Sequence, residues 1–324
     1  MSQWQVSVVN VTEGFLTWRK RRRVRKKQKQ KKRHPIIEWI DAFLWAAVVV
    51  LLINQYLFQA YQIPTGSMEN TLKISDRIFV NKLVYGPELI PGKLKLPGFV
   101  SPQRNDVIIF ESPTYISKGT LFDILQRVLY MLTLSLVDID RDETGAPRAH
   151  FLIKRAVGVA GDRIRLRAGN VEIRPAGASS WLDERTPGYH ESVDFVRRRI
   201  IQPIDYPAIR AAMRMATFED EDLAPLTEDS RVAASVPAIK HDAYERSSVY
   251  FSTMHQLRPH TRRYRSEYWR GKIGWYIPDG WIFPMGDNRD NSNDARYFGP
   301  VSLSDVLGRG MFIYWPLPRM SRIR

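Results

Sequence analysis

Tyr61-Gln62-Ile63-Pro64-Thr65-Gly66-Ser67-Met68-Glu69-Asn70-Thr71-Leu72-Lys73 follows directly on the most apolar segment of the chain, and the rest of the sequence is read outward from it. A serine after glycine is ordinarily a turn residue. It becomes a nucleophile only with a base in reach, so a partner has to be found elsewhere. Lys154, in Phe151-Leu152-Ile153-Lys154-Arg155-Ala156-Val157-Gly158, is the candidate. Lysine keeps its proton in water at neutral pH, but desolvation favours the neutral amine, and Phe151, Leu152, Ile153, Ala156 and Val157 offer that surrounding.

A chain of 324 residues, 44% of them hydrophobic, can fill one large or two ordinary domains. It has no cysteine, which excludes disulfides, thiol catalysis and cysteine zinc sites. His190, His241, His255 and His260 have no metal-ligand spacing with acids, so neither a metal nor a cofactor is expected. The formal charge of +15 invites a nucleic-acid reading, but twelve of the 49 basic residues fall between Arg19 and Arg33. Beyond residue 35, 37 basic residues face 33 acidic ones. The charge is therefore a local tract: a solvated run, a nucleic-acid arm, or a juxtamembrane anchor attracted to anionic lipid. An apolar segment starts directly after it, which favours the third, and no nucleic-acid partner is expected.

That segment is uninterrupted from Ala42 to Ile53, twelve residues, where a bilayer span needs about twenty. Widened to Trp39–Phe58, it keeps Asp41, Asn54 and Gln55 near its ends, with Trp39, Trp45, Tyr56 and Tyr61 suited to the interfaces. One transmembrane anchor within residues 36 to 60 is expected. A cleavable signal peptide fits less well, because the charged region would be unusually long and Phe58 stands where a small residue is required. The core helix of a soluble protein is the other competing reading. The positive-inside rule puts residues 1 to 35 in the cytoplasm as a basic tail and sends the chain after about residue 60 across the membrane.

Downstream, Arg77 to Tyr85 and Asp106 to Phe110 read as strands, by their β-branched and aromatic content. Residues 121 to 137 carry apolar side chains at helical spacing and fit a packed helix or one lying in a membrane interface. Two further strands are expected at Lys154 and at Gly161 to Arg167. Residues 61 to 169 thus form the first part of one domain and 273 to 324 its closing part. Composition shifts between 170 and 272, a variable insertion or second subdomain. Gly286-Asp287-Asn288-Arg289-Asp290-Asn291-Ser292 lacks the placed glycine and late glutamate of an EF-hand, so a buried polar turn is expected, its Asp and Arg side chains pairing to steady a neighbour.

Three blocks, in order, resemble the bacterial type I signal peptidases: Ile63-Pro64-Thr65-Gly66-Ser67-Met68 with Leu72; Ile153-Lys154-Arg155-Ala156-Val157-Gly158 with Gly161-Asp162; and Gly286 to Ser292 with Asp294-Ala295-Arg296-Tyr297-Phe298-Gly299. The resemblance implies a mostly β fold, an antiparallel β-sheet catalytic domain behind one N-terminal transmembrane helix. It implies a membrane-anchored serine endopeptidase that removes signal peptides from exported preproteins after a small-Xaa-small site. Ser67 would be the nucleophile, Lys154 the base, and the Ser67 N–H with the Thr65 hydroxyl the oxyanion donors. Ser292 would orient the lysine, supported by Asp294 and Arg296. Tyr61, Ile63, Pro64, Leu72 and Ile153 would line shallow subsites. The implied setting is the bacterial inner membrane, with the catalytic domain outside the cytoplasm and the lipid bilayer and preproteins as partners. Self-cleaving repressors also pair Ser with Lys, but nothing here resembles their DNA-binding half. The non-enzymatic alternative is a membrane scaffold whose basic tail binds anionic lipid or nucleic acid.

Overall fold

The computed structural model describes residues 12–14, 16–24, 34–90, 94–133, 136–141, 145, 148, 150–186, 199–224, 227–234 and 242–323. The later half of the basic tract, residues 25–33, lies outside them, as do His190 and His241. The chain divides into two compact units, Met1–Leu51 and Leu52–Arg324.

In the first unit the described residues are helical between 12 and 24, and the helix Pro35–Tyr56 begins there. Proline suits the first helical position, where its missing N–H has no intrahelical acceptor to lose. The His34 carbonyl accepts from Ile37 N–H at 2.9 Å, and Glu38 sits in the first turn, where the helix dipole favours an acid. Twenty-two residues rise about 33 Å, which matches a bilayer core. Among the described residues it is the one helix long and apolar enough to cross a membrane. It stops at Tyr56, short of the expected Phe58, because Phe58 already belongs to a strand.

The second unit is built on antiparallel strands. In chain order they are β1 (Phe58–Gln62), β2 (Arg77–Asn81), β3 (Glu88–Ile90), β4 (Leu94–Lys95), β5 (Val107–Glu111), β6 (Phe151–Gly158), β7 (Arg163–Arg167), β8 (Asn170–Arg174), β9 (Leu182–Asp183), β10 (Trp275–Tyr276), β11 (Trp281–Met285), β12 (Val301–Ser302), β13 (Val306–Trp315) and β14 (Ser321–Arg322). The main sheet runs β1-β2-β13-β5-β6-β11-β12, with β14 beside β13. A smaller sheet runs β10-β7-β8-β9. β5 pairs with Phe151–Arg155 of β6 and β11 with its Arg155–Gly158 end, with Ile108 opposite Lys154 and Met285 opposite Arg155. The expected strand from Arg77 ends at Asn81, where the Asn81 side chain accepts the Leu83 N–H at 2.9 Å and starts a turn.

Ile78 and Val80 point inward from β2 and pack with Tyr61, Ile63, Met68, Leu72, Val107 and Ile109. Each fully buried aliphatic of this kind contributes about 1.5–3 kcal/mol, so this cluster fixes the segment carrying Ser67 against the sheet. A second cluster, with Val157, Ile164, Ile173, Phe283 and Met285, joins the two sheets.

The apolar run from residue 121 forms the helix Thr120–Leu132 and ends earlier than its pattern suggests. The Thr133 hydroxyl donates to the Leu129 carbonyl and accepts the Val137 N–H, which closes the turn. Its inner face, with Gln126 and Met131, is buried, whereas Leu121, Ile124 and Leu125 are exposed. Between β9 and β10, four helices (Tyr206–Asp220, Thr227–Ala234, Ala243–Leu257 and Arg262–Ile273) occupy residues for which the sequence suggested no elements. Tyr206 anchors them: its hydroxyl donates to Asp242 at 2.7 Å and accepts from Arg199 at 2.7 Å.

Candidate active site

Ser67 lies in a single 3-10 turn, Gly66–Met68, entered from Thr65 in extended backbone. The N–H groups at the start of such a turn have no acceptor within it and remain available. The segment is strapped from the far end of the chain. Asn288 N–H donates to the Ser67 carbonyl at 3.0 Å, and Asn288 Nδ2 donates to the Gly66 carbonyl at 3.0 Å. That approach requires glycine at 286, since a Cβ there would stand 2.5 Å from the Ser67 carbonyl oxygen and 2.2 Å from Ser292 Oγ.

Lys154 Nζ is 2.6 Å from Ser67 Oγ, and both side chains are buried. Burial is the main reason the lysine is pushed down to about 8; Asp294 opposes the shift, Arg296 adds to it and Asp287 opposes it. Asp294 is wholly buried. Burial alone would raise its carboxyl, but Arg296 outweighs that and holds it below the ordinary carboxylate range. Arg296 Nε and Nη2 donate to the two carboxylate oxygens at 2.8 and 3.0 Å, and Gly286 N–H adds a third bond at 2.9 Å. Ser292 Oγ is buried beside Asp294 and helps to hold that carboxylate low, while the lysine amine is bonded to Ser67.

A second buried ion pair stands behind the first. Arg155 grips Asp287 through two bonds, at 2.8 and 2.7 Å, and reaches the Asn105 carbonyl at 2.8 Å. The Thr71 hydroxyl donates to the same carboxylate. The sequence assigned no role to Thr71, Arg155 or Asn288, and expected Asp287 to pair within its own turn. It did carry a signal for one of them, because a charged residue inside an apolar strand, as Arg155 is, requires a buried partner. The expected pairing of Asp and Arg inside the 286–292 turn is replaced by long-range pairs: Asp287 goes to Arg155, Arg289 to Glu184, and Asp290 accepts from the Ile201 N–H at 3.0 Å.

Ser67 and Lys154 line a cleft of about 900 Å³. Tyr61, Ile63, Pro64, Thr65 and Ile153 line it as well. Leu72 does not. It is wholly buried beneath, in the cluster with Ile78 and Val80, because the turn after Met68 aims it at the sheet. Thr65 is exposed at the cleft edge, and its side chain makes no capping bond to the turn it precedes.

A serine and a lysine in direct contact in a cleft on an antiparallel sheet suit a hydrolase that works without a metal, and comparison with known proteins specifies the class. The signal peptidase family, peptidase S26, matches residues 36–315, and the chain belongs to it. It is a serine peptidase, a hydrolase. Signal peptidase I of Haemophilus influenzae is 27% identical over 286 residues, covering 87% of this chain and 70% of that protein. Signal peptidase I of Pseudomonas aeruginosa is 25% identical over 309 residues, covering 91% and 79%. The Aquifex aeolicus signal peptidase I is 25% identical over 281 residues, covering 85% and 82%. The family and the mostly β, antiparallel fold read from the three sequence blocks are thus confirmed, and the repressor and scaffold readings fall.

Proposed function

We propose that this chain is a membrane-anchored endopeptidase that cuts signal peptides from exported preproteins after a small-Xaa-small site, with Ser67 as nucleophile and Lys154 as general base. The observation that carries it is the buried 2.6 Å contact between the two side chains. Neutral Lys154 takes the Ser67 proton as Oγ attacks the scissile carbonyl. The oxyanion that forms is met by the Ser67 N–H and the Thr65 hydroxyl. The lysine then returns its proton to the leaving amine, and a water molecule deprotonated by the same lysine releases the acyl group. Asp294 and Arg296 hold the loop that faces the amine, and the Ser292 hydroxyl, beside Asp294, is the group proposed to orient it.

Tyr61, Ile63, Pro64 and Ile153 form the walls that admit small side chains beside the scissile bond, with Leu72 supporting them from below. The helix Pro35–Tyr56 is the anchor, in the bacterial inner membrane, with the basic tail in the cytoplasm and the catalytic unit on the other side. Protease added outside spheroplasts is expected to digest that unit; trimming of the tail alone would reverse the orientation. The activity itself is tested by incubating the detergent-solubilised chain with a preprotein and weighing the products. A cut after a small-Xaa-small site supports the reading, and no cut overturns it.

Thr65→Val removes a hydroxyl and keeps the shape. It is expected to cost about 10²- to 10³-fold in kcat, as loss of one oxyanion donor does, while Thr65→Ser costs little. A valine variant with unchanged kcat takes Thr65 out of the mechanism.

A further inference from the structure

The cleft is far larger than two small side chains need, and the excess is walled by rings. Phe151 and Tyr61 meet edge to face at 5.7 Å, and Tyr130 stands 6.0 Å from Tyr61. On the other side of Phe151, His150 stacks at 4.3 Å and 9°, and Tyr115 stacks on His150 at 4.0 Å and 4°. The Arg148 guanidinium closes the stack over Tyr115 at 4.9 Å. All six residues line the same cleft as Ser67 and Lys154. Burial lowers His150 to about 4, so at neutral pH its ring is uncharged and the ring surfaces of the wall are apolar, with the Arg148 guanidinium at their far end.

Spacing tells which part of a bound peptide meets this wall. The strand β6 carries Lys154 and Phe151, with His150 just before it, and extended chain rises about 3.3 Å per residue. A peptide extended along β6, with the attacked carbonyl at Ser67, passes His150 four residues away. Counting the residue that supplies the attacked carbonyl as −1, that is position −5. Resting on the peptidase reading above, with Tyr61, Ile63 and Ile153 on the signal-peptide side, we propose that the Tyr115–His150–Phe151 stack, together with Tyr61 and Tyr130, is a subsite for a bulky apolar side chain at position −5. This subsite reads the end of the apolar stretch, beyond the small residues at −3 and −1. The two ends of the cleft thus select opposite properties, small side chains beside Ser67 and large ones beside His150.

The test is a set of preprotein-derived peptides identical except at −5, cleaved by the full chain in detergent. Leucine at −5 is expected to exceed aspartate by roughly tenfold or more in kcat/KM, with the difference in KM. His150→Ala should shrink that ratio to about twofold and His150→Phe should keep it, while alanine remains preferred over leucine at −1 in both. The wild-type series needs no substitution, so it decides even where His150→Ala does not fold. Equal cleavage of the leucine and aspartate peptides by wild type overturns the subsite and leaves the peptidase reading intact. So does a full leucine preference in a folded His150→Ala chain. No cleavage of any peptide by wild type overturns both.

Discussion

Lys154→Arg is expected to lower kcat by about 10⁴-fold or more, to the level of Ser67→Ala, with both chains still folded. Guanidinium does not give up its proton in the working range, so it cannot accept one from Ser67. In the wild type, kcat/KM should rise tenfold per pH unit below about 8 and level off above it, because Lys154 is pushed down to about 8 and only its neutral form is a base. Free lysine would put that limb near 10.4. Lys82 is also buried and lowered to about 7, mainly by burial, with Arg127 adding to the shift and Glu88 opposing it. It lies outside the cleft, so Lys82→Met should leave the limb at about 8. A histidine cannot supply the limb from within the cleft, since His150 is lowered to about 4. Substantial activity in Lys154→Arg, or a limb that disappears with Lys82, removes Lys154 as the base.

The same shift has a consequence for stability. Below about pH 8 both the folded and the unfolded chain hold the Lys154 proton, and the folded chain bears the whole cost of a buried ammonium. Between about 8 and the unfolded value near 10.4, the folded chain has released the proton and the unfolded chain has not, so this group makes stability rise with pH across that window.

Asp287→Ala is expected to destabilise the fold by about 3–5 kcal/mol, because it leaves the Arg155 guanidinium buried without its carboxylate. The pair itself need not be stabilising relative to apolar side chains of similar volume. Arg155→Met combined with Asp287→Leu should therefore recover at least half of the loss. Denaturant unfolding of the full chain in micelles measures both. A single variant costing less than about 1 kcal/mol would mean that the guanidinium finds water or another acceptor. Because Asn288 follows Asp287 and straps Gly66 and Ser67, the single variant should also lower kcat where folded chain persists.

Much of this was legible in short windows of sequence. The apolar run after the basic tract announced the helix Pro35–Tyr56, whose end was misplaced only by the two positions where Phe58 turns into β1. Apolar runs announced β5 and β6, since burial on both faces writes itself into consecutive residues. The four helices between residues 206 and 273 were not read. In Arg262–Ile273 no residue is buried, so there is little 3.6-residue signal to detect, and in Tyr206–Asp220 the buried face is largely small or polar, with Ala208, Ala211 and Thr217 among its residues. Leu72 was expected in the cleft because the family resemblance implied it; the direction of its side chain comes from the turn and the sheet beneath it.

By itself the sequence determined which residue types were available for chemistry: a serine in a turn after an apolar helix, a lysine and an arginine inside a buried strand, and a late turn dense in Asp, Asn and Arg. Only the tertiary structure decided who meets whom. Ser67 and Lys154 are 87 positions apart, and Arg155 and Asp287 are 132 apart. Local propensity carries no information across such separations. Strand register does, since Lys154 opposes Ile108 and Arg155 opposes Met285, which brings Asp287, two residues beyond Met285, to Arg155. Burial then completes the choice: a charge taken out of water needs a counter-charge, and for the Arg155 guanidinium the folded sheet brings the Asp287 carboxylate within 2.7 Å.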